Sequence, residues 1–228
     1  MANKTDKTAP REARSQMAEV WHQFCRNKGA MVGSAVVLLI VFIALFSDVF
    51  LDYDTQVVGQ NIADRLQWPS ANHWFGTDEL GRDIFFRVLY GTRFSCSVGL
   101  VAVTIGLLLG VTLGAIAGFY GGWIEELIMR STDILSAVPN MLLAIVIVSV
   151  LGQSIWNLML AVGITSVPEF VRITRAAVLT VRNQEYVEAS KAIGLTNRKI
   201  IFKHILPNCL SPIIVQATLR VASAIISA

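Results

Sequence analysis

The stretch FSCSVGLVAVTIGLLLGVTLGAIAGFYGGWI, Phe94–Ile124, runs for 31 residues without one Asp, Glu, Lys or Arg. A hydrocarbon layer about 30 Å thick is crossed by roughly 20 residues of helix. The stretch is long enough to cross once with some tilt, and it offers no polar face to water. Three further runs lack charge: Gly29–Ser47 (19 residues), Ile134–Pro168 (35) and His204–Leu219 (16), the last continuing past Arg220 to Ala228. The 35-residue run is too long for one crossing and is broken at Gly152-Gln153-Ser154, so it reads as two. The expected fold class is all-α, a polytopic transmembrane helical bundle. Its five spans are expected at about 29–50, 94–118, 134–152, 154–171 and 205–228.

Composition points the same way. Of 228 residues, 54% are hydrophobic and 15% charged, against a usual charged share of about a quarter. An ordinary soluble domain, a disordered chain and a nucleic-acid binder are all excluded, and a net charge of +3 is too small to imply a polyanionic partner. Cys25, Cys96 and Cys209 are widely spaced and form no CxxC or His/Cys ligand pattern, which supports neither a disulfide framework nor a metal site. No catalytic residue is assigned: His22, His73 and His204 stand apart from any Ser or Cys partner. The phosphate loop G-x-x-x-x-G-K-[ST] is absent, so the chain is expected to bind no cofactor and not to hydrolyse ATP itself.

Orientation follows from lysine and arginine. The tail Met1–Lys28 carries six of them, the loop Asp48–Arg93 four against seven acids, and the segment Arg172–Lys203 seven. With the tail inside, and Arg130 after the second span, fourteen lie inside and four outside, the sense of the positive-inside rule. The expected organisation is a cytoplasmic tail at 1–28 and a transmembrane domain at 29–228. Within that domain an outer loop covers about 51–93 and a cytoplasmic segment about 172–204. Five spans leave Ala228 on the outer side with no polar tail, so a longer protein with a further C-terminal part is expected.

Four local features call for a reading. In Arg172–Lys203, Asn183 is placed to cap a short helix with Glu185 in its first turn. Gly194 supplies a left-handed stop, and Thr196 opens a second helix leading to Pro207. This reads either as a docking knob exposed to the cytoplasm or as a basic helix lying on anionic lipid. Asp78, Glu79 and Asp83 read either as a cation or peptide-amine site at the outer mouth or as a capped helix start, the favoured reading, with Thr77 as N-cap and Arg82 as partner. Gly106, Gly110, Gly114 and Gly118 recur every four residues and read either as a face for close helix packing, the favoured reading, or as a substrate-lining face, while Pro139, Pro168 and Pro212 are expected to kink spans. Arg220, a formal charge well inside a span, faces either an interior path or snorkels outward.

The stretch Glu188-Ala189-Ser190, three residues, Gly194, nine residues, then His204-Ile205-Leu206-Pro207 resembles the EAA motif of ATP-binding-cassette importer permeases, E-A-A-x3-G-x9-I-x-L-P. Glu188, Ala189, Gly194, Leu206 and Pro207 match; Ser190 replaces the second alanine and His204 the isoleucine. Residues Phe75–Asp83, Leu89–Ser95, Gly118–Trp123, Met129–Leu135 and Tyr186–Ser190 are similar to signatures of the dipeptide, oligopeptide and nickel permeases, and Phe24–Ala30 to the start of the C-type dipeptide subunit. The resemblance implies a multi-pass permease of the bacterial cytoplasmic membrane that continues with a sixth span. It implies transport of dipeptides or short oligopeptides, or of nickel or glutathione, by alternating access. It also implies a second permease subunit, two cytoplasmic ATPase subunits holding ATP and Mg, and an external substrate-binding protein. Tyr186, Glu188, Ala189, Ser190, Gly194, Leu206 and Pro207 would form the ATPase-coupling element. Arg220, Asp78, Glu79 and Asp83 are the candidates for the pathway or outer mouth. A secondary transporter or a membrane-embedded enzyme would need intramembrane ionisable or catalytic groups that these spans lack almost entirely.

Overall fold

The computed structural model describes residues 16–227, so Lys4, Lys7, Arg11 and Arg14 of the expected tail lie outside the described residues. Those residues are helical, joined by turns, with one isolated β-bridge between Thr77 and Asp83. The chain divides into two compact units, Met1–Thr92 and Arg93–Ala228.

In the first unit, α1 (Gln16–Arg26) leads into α2 (Lys28–Phe50). Asn27 separates them because its Oδ1 accepts from Ala30 N–H at 3.2 Å, a side-chain N-cap. Phe42, Phe46 and Phe50, at helical spacing, stack along α2 with centroids 4.7 and 6.5 Å apart. After α2 the chain makes short helical turns at Tyr53–Val57 and Ile62–Asp64 and then a loop to Asp83.

Helix α3 (Ile84–Tyr120) begins ten residues before the expected second span, so the connecting segment is correspondingly shorter than the outer loop expected at 51–93. Arg87 and Arg93 end the uncharged run but not the helix, since both are good helix formers. Asp83, not Thr77, caps it: Asp83 Oδ1 accepts from Phe85 and Phe86 N–H at 2.8 and 3.4 Å.

The second unit continues with α4 (Gly122–Ala137), α5 (Asn140–Leu151), α6 (Ile155–Val181) and α7 (Glu185–Ala192). A helical turn, α8 (Asn197–Lys199), runs on through a π-helical segment Ile200–Ile205 and a 3-10 turn Leu206–Cys209 into α9 (Leu210–Ser227). The expected span 134–152 is not one helix. α4 and α5 meet at 88° across Val138-Pro139, because Val138, preceding a proline, is held extended at ψ 129°. At 12 residues α5 is only about 18 Å long. Lys28–Phe50, Ile84–Tyr120 and Asn197–Ile226 are each long and apolar enough to cross a membrane, and the bent α4–α5 pair makes a fourth if taken together. The expected span 154–171 begins at the N-cap Ser154 and otherwise lies in α6, which has a buried face and continues ten residues further, carrying Arg172 and Arg175.

The core of this unit is the crossing of α3 on α6. Gly106, Gly110, Gly114 and Gly118 are all buried. A Cβ built on them would stand 2.8 Å from Ser166 Cβ, 2.4 Å from Phe170 Cβ, 2.6 Å from Val171 O and 2.8 Å from Val178 Cβ. The stripe is a packing face that lets two backbones nearly touch. Gly163 on α6 answers it, with Ala102 O 3.0 Å from its would-be Cβ.

Candidate functional site

The coupling candidates lie together. α7 is preceded by Gln184 at its N-cap position, not the expected Asn183, and Gln184 makes no side-chain capping bond. Glu185 and Glu188 occupy its first turn, where acidic groups favour the positive helix end. Its C-terminus closes in a Schellman motif: Leu195 N–H donates to Ser190 O at 3.2 Å and Gly194 N–H to Lys191 O at 3.0 Å. Gly194 takes φ +79° to allow this, a conformation that costs an L-residue roughly 1–2 kcal/mol. Leu195 then tucks against a cluster formed by Val187, Ala115, Val178, Ile200, Ile201, Ile205, Cys209 and Ile213.

One face of α7 is thereby fixed and the other left free. Val187 is fully buried and Ser190 nearly so, with Ser190 Oγ donating to Tyr186 O at 2.7 Å. Tyr186, Glu188 and Ala189 are exposed, and Ile193 is 76% exposed beside the Gly194 turn. Leu206 packs on the same cluster as Val187, and Pro207 opens the 3-10 turn before α9. The region of α7 is tied by Arg182 Nη1 donating to Gly118 O at 2.8 Å, Arg175 Nε to Glu125 at 2.6 Å, and Lys191 Nζ 5.5 Å over the Phe119 ring. Arg172 reaches Asp133 at 3.2 Å and Ser136 at 2.9 Å.

The acidic candidates do not converge. Asp78 accepts from Leu80 and Arg82 N–H at 2.9 and 3.0 Å and pairs with the Arg82 and Arg87 guanidinium groups at 2.7 and 2.6 Å. Asp83 Oδ2 pairs with His73 Nδ1 at 2.9 Å, while Glu79 is exposed. Gly81, at φ +73°, lets the turn lie against Asn61 O, which a Cβ would meet at 1.7 Å. Burial acts to raise the Asp78 pKa, but the Arg82 side-chain and backbone bonds outweigh it and hold the carboxyl at about 2. A depressed carboxylate pKa stabilises fully above its ordinary value of 3.8 and loses that contribution as pH falls through the folded value. The Leu80 and Arg82 amides are therefore expected to stay protected from hydrogen exchange down to about pH 4 and to lose protection toward pH 2. Asp78→Asn removes most of that dependence.

Arg220 is inside. It is 15% exposed, and its Nε lies 3.0 Å from Glu169 Oε2, which also accepts from Gln216 Nε2 at 2.9 Å. Arg220 lines a cavity of about 640 Å³ between α5, α6 and α9. Glu169 and Gln216 were not singled out from the sequence. The uncharged run ends at Pro168, one residue short of Glu169, and that adjacency of a charge to the run is the signal that points to it.

Residues 110–228 match the family described as binding-protein-dependent transport system inner membrane component, and residues 15–69 match the N-terminal TM domain of oligopeptide transport permease C. This chain belongs to the binding-protein-dependent inner-membrane permeases. The dipeptide transport system permease protein DppC of Alkalihalophilus pseudofirmus is 48% identical over 214 residues, 94% of this chain and 70% of that protein. The oligopeptide transport system permease protein OppC of Bacillus subtilis is 43% identical over 89% of this chain and 66% of its own length. The glutathione transport system permease protein GsiD of Pectobacterium atrosepticum is 39% identical over 96% and 72%. As a permease of this family the chain is an all-α, multi-pass membrane subunit.

Proposed function

We propose that this permease carries dipeptides or short oligopeptides across the bacterial cytoplasmic membrane by alternating access, as one subunit of an ATP-binding-cassette importer. It pairs with a second permease subunit, receives substrate from an external binding protein, and takes its energy from two cytoplasmic ATPase subunits that hold ATP and Mg. The chain itself contributes no catalytic residue, and its N-terminus is cytoplasmic. The observation that carries this reading is the α7 knob. Its buried Val187 and Ser190 fix it to α3, α6 and the segment leading to α9, while Tyr186, Glu188, Ala189 and Ile193 stand free for a partner groove. When the ATPases close on ATP they draw α7 with them, and the helices packed on its inner face move as a body.

The relatives named for dipeptide and oligopeptide transport support a peptide substrate; those named for glutathione transport support glutathione as a second reading. The test is to purify the assembled transporter by a tag on this chain and to measure ATP hydrolysis with alanyl-alanine or glutathione delivered by the binding protein. Stimulation by the dipeptide and not by glutathione is the expected result. Stimulation by glutathione alone moves the substrate to the second reading, and recovery of no ATPase subunit overturns the importer assignment.

A further inference from the structure

Among the described residues, Arg220 is the only formally charged one lining the α5–α6–α9 cavity, whose walls are otherwise apolar (Met141, Ile145, Val162) or neutral and polar (Ser149, Gln153). A guanidinium on a membrane-embedded wall is costly and is retained where it pairs or serves a pathway. Here the pairing is one-sided. Glu169 stands at the Nε edge and is itself steadied by Gln216, one helical turn before Arg220 on α9. Among the described residues the buried Nε of Arg220 has no well-directed hydrogen bond, although it lies 3.0 Å from Glu169 Oε2. A guanidinium ion-paired on its Nε edge and lining a cavity has the fork geometry to take a planar anion in two parallel bonds. The volume lies within the roughly 300–1,000 Å³ of pockets that hold small organic ligands.

We propose that Arg220 is a substrate-binding residue that takes the C-terminal carboxylate of a short peptide in the α5–α6–α9 cavity, with Glu169 and Gln216 positioning its guanidinium. The apolar walls accept varied side chains, so the site reads the shared terminal group and not the sequence. This rests on the peptide reading above, and its test is separable from that reading. The probes are alanyl-alanine and alanyl-alanine amide, which differ only in the terminal charge. Binding of each is measured by equilibrium dialysis to the assembled, reconstituted transporter without the external binding protein.

The wild-type transporter is expected to bind the free dipeptide roughly ten- to a hundredfold more tightly than the amide, the span of one charge-assisted hydrogen-bonded pair. Arg220→Gln is expected to erase that preference by weakening the free dipeptide alone, and Arg220→Lys to restore part of it. Equal binding of the two probes by the wild type overturns the proposal without any variant, so a folding failure of Arg220→Gln does not shelter it. Loss of affinity for both probes alike in a folded Arg220→Gln protein also overturns it, as a purely structural tie to Glu169 would give. A preference seen only in bilayers free of phosphatidylglycerol, and absent with that lipid present, assigns the guanidinium to a lipid headgroup instead. If binding-protein-delivered dipeptide stimulates hydrolysis while these probes bind equally, the peptide reading stands and the Arg220 assignment falls.

Discussion

Replacing Gly194 by proline is expected to leave the protein inserted in the membrane and to abolish peptide-stimulated ATP hydrolysis. Proline holds φ near −65°, against +79° in the structure, and it removes the N–H that donates to Lys191 O. Both bonds that close α7 fail together, and Leu195 is drawn out of the cluster that anchors the knob. A cost of about 3 kcal/mol at this turn lowers the population of the ordered knob by roughly a hundredfold. Stimulated ATPase of the purified assembly should fall by a comparable factor, with the membrane level of the chain unchanged. Gly194→Ala separates conformation from space. No atom lies within 4 Å of its added Cβ, so its expected cost of roughly 1–2 kcal/mol comes only from the left-handed backbone. A Gly194→Pro assembly that couples at the wild-type rate would refute the knob as the coupling element.

Gly110→Leu and Gly114→Leu are expected to prevent the helical core from forming. At Gly110 even a methyl group stands 2.4 Å from Phe170 Cβ and 2.9 Å from Val167 O, and at Gly114 it stands 2.6 Å from Val171 O. Backbone oxygens cannot step aside as a side-chain tip can. α3 and α6 must therefore separate along their length, at the upper end of the overpacking range or beyond it, about 3 kcal/mol or more. Size-exclusion profiles of the detergent-extracted protein should lose the monodisperse peak for either variant. Gly33→Ala on α2, where nothing lies within 4 Å, is the control and should retain it. A monodisperse, thermally wild-type Gly110→Leu protein would show that α3 and α6 do not cross this closely.

The sequence carried the glycine stripe because it is periodic, and a four-residue repeat on a helix has one geometric meaning. It carried the α7 stop because Gly194 sits where an apolar pattern ends. Other features depend on where elements begin, which hydropathy does not state. Pro139 marks a kink, yet the apolar run continues on both sides of it, so hydropathy does not state that the kink is an 88° elbow between two separate helices. Thr77 and Asp83 are both fit to cap a helix. Asp83 takes the role because Ile84 N–H is claimed by Gly76 O at 3.2 Å and His73 steadies the carboxylate. The role of Glu169 is not legible because its partner Arg220 is 51 residues away in sequence. Pairing at that distance is a property of the fold; the local sequence shows only that Glu169 borders an uncharged run.

The π-helical segment Ile200–Ile205 sets the azimuth of everything after it. Leu206 N–H bonds to Ile201 O, five residues back, and Pro207 has no N–H to restore the tighter register; Asn208 Nδ2 serves the His204 carbonyl at 2.7 Å. The segment holds one residue more than an α-helical path would use, and each residue of helix turns the chain by about 100°. The bearing of Gln216 and Arg220 toward α6 is thus written in a count of residues about three to five turns upstream, just after α7. Chain length between Lys199 and Leu206 is therefore a phase setting: the same side chains wound with one residue fewer would carry the guanidinium around the helix and away from Glu169.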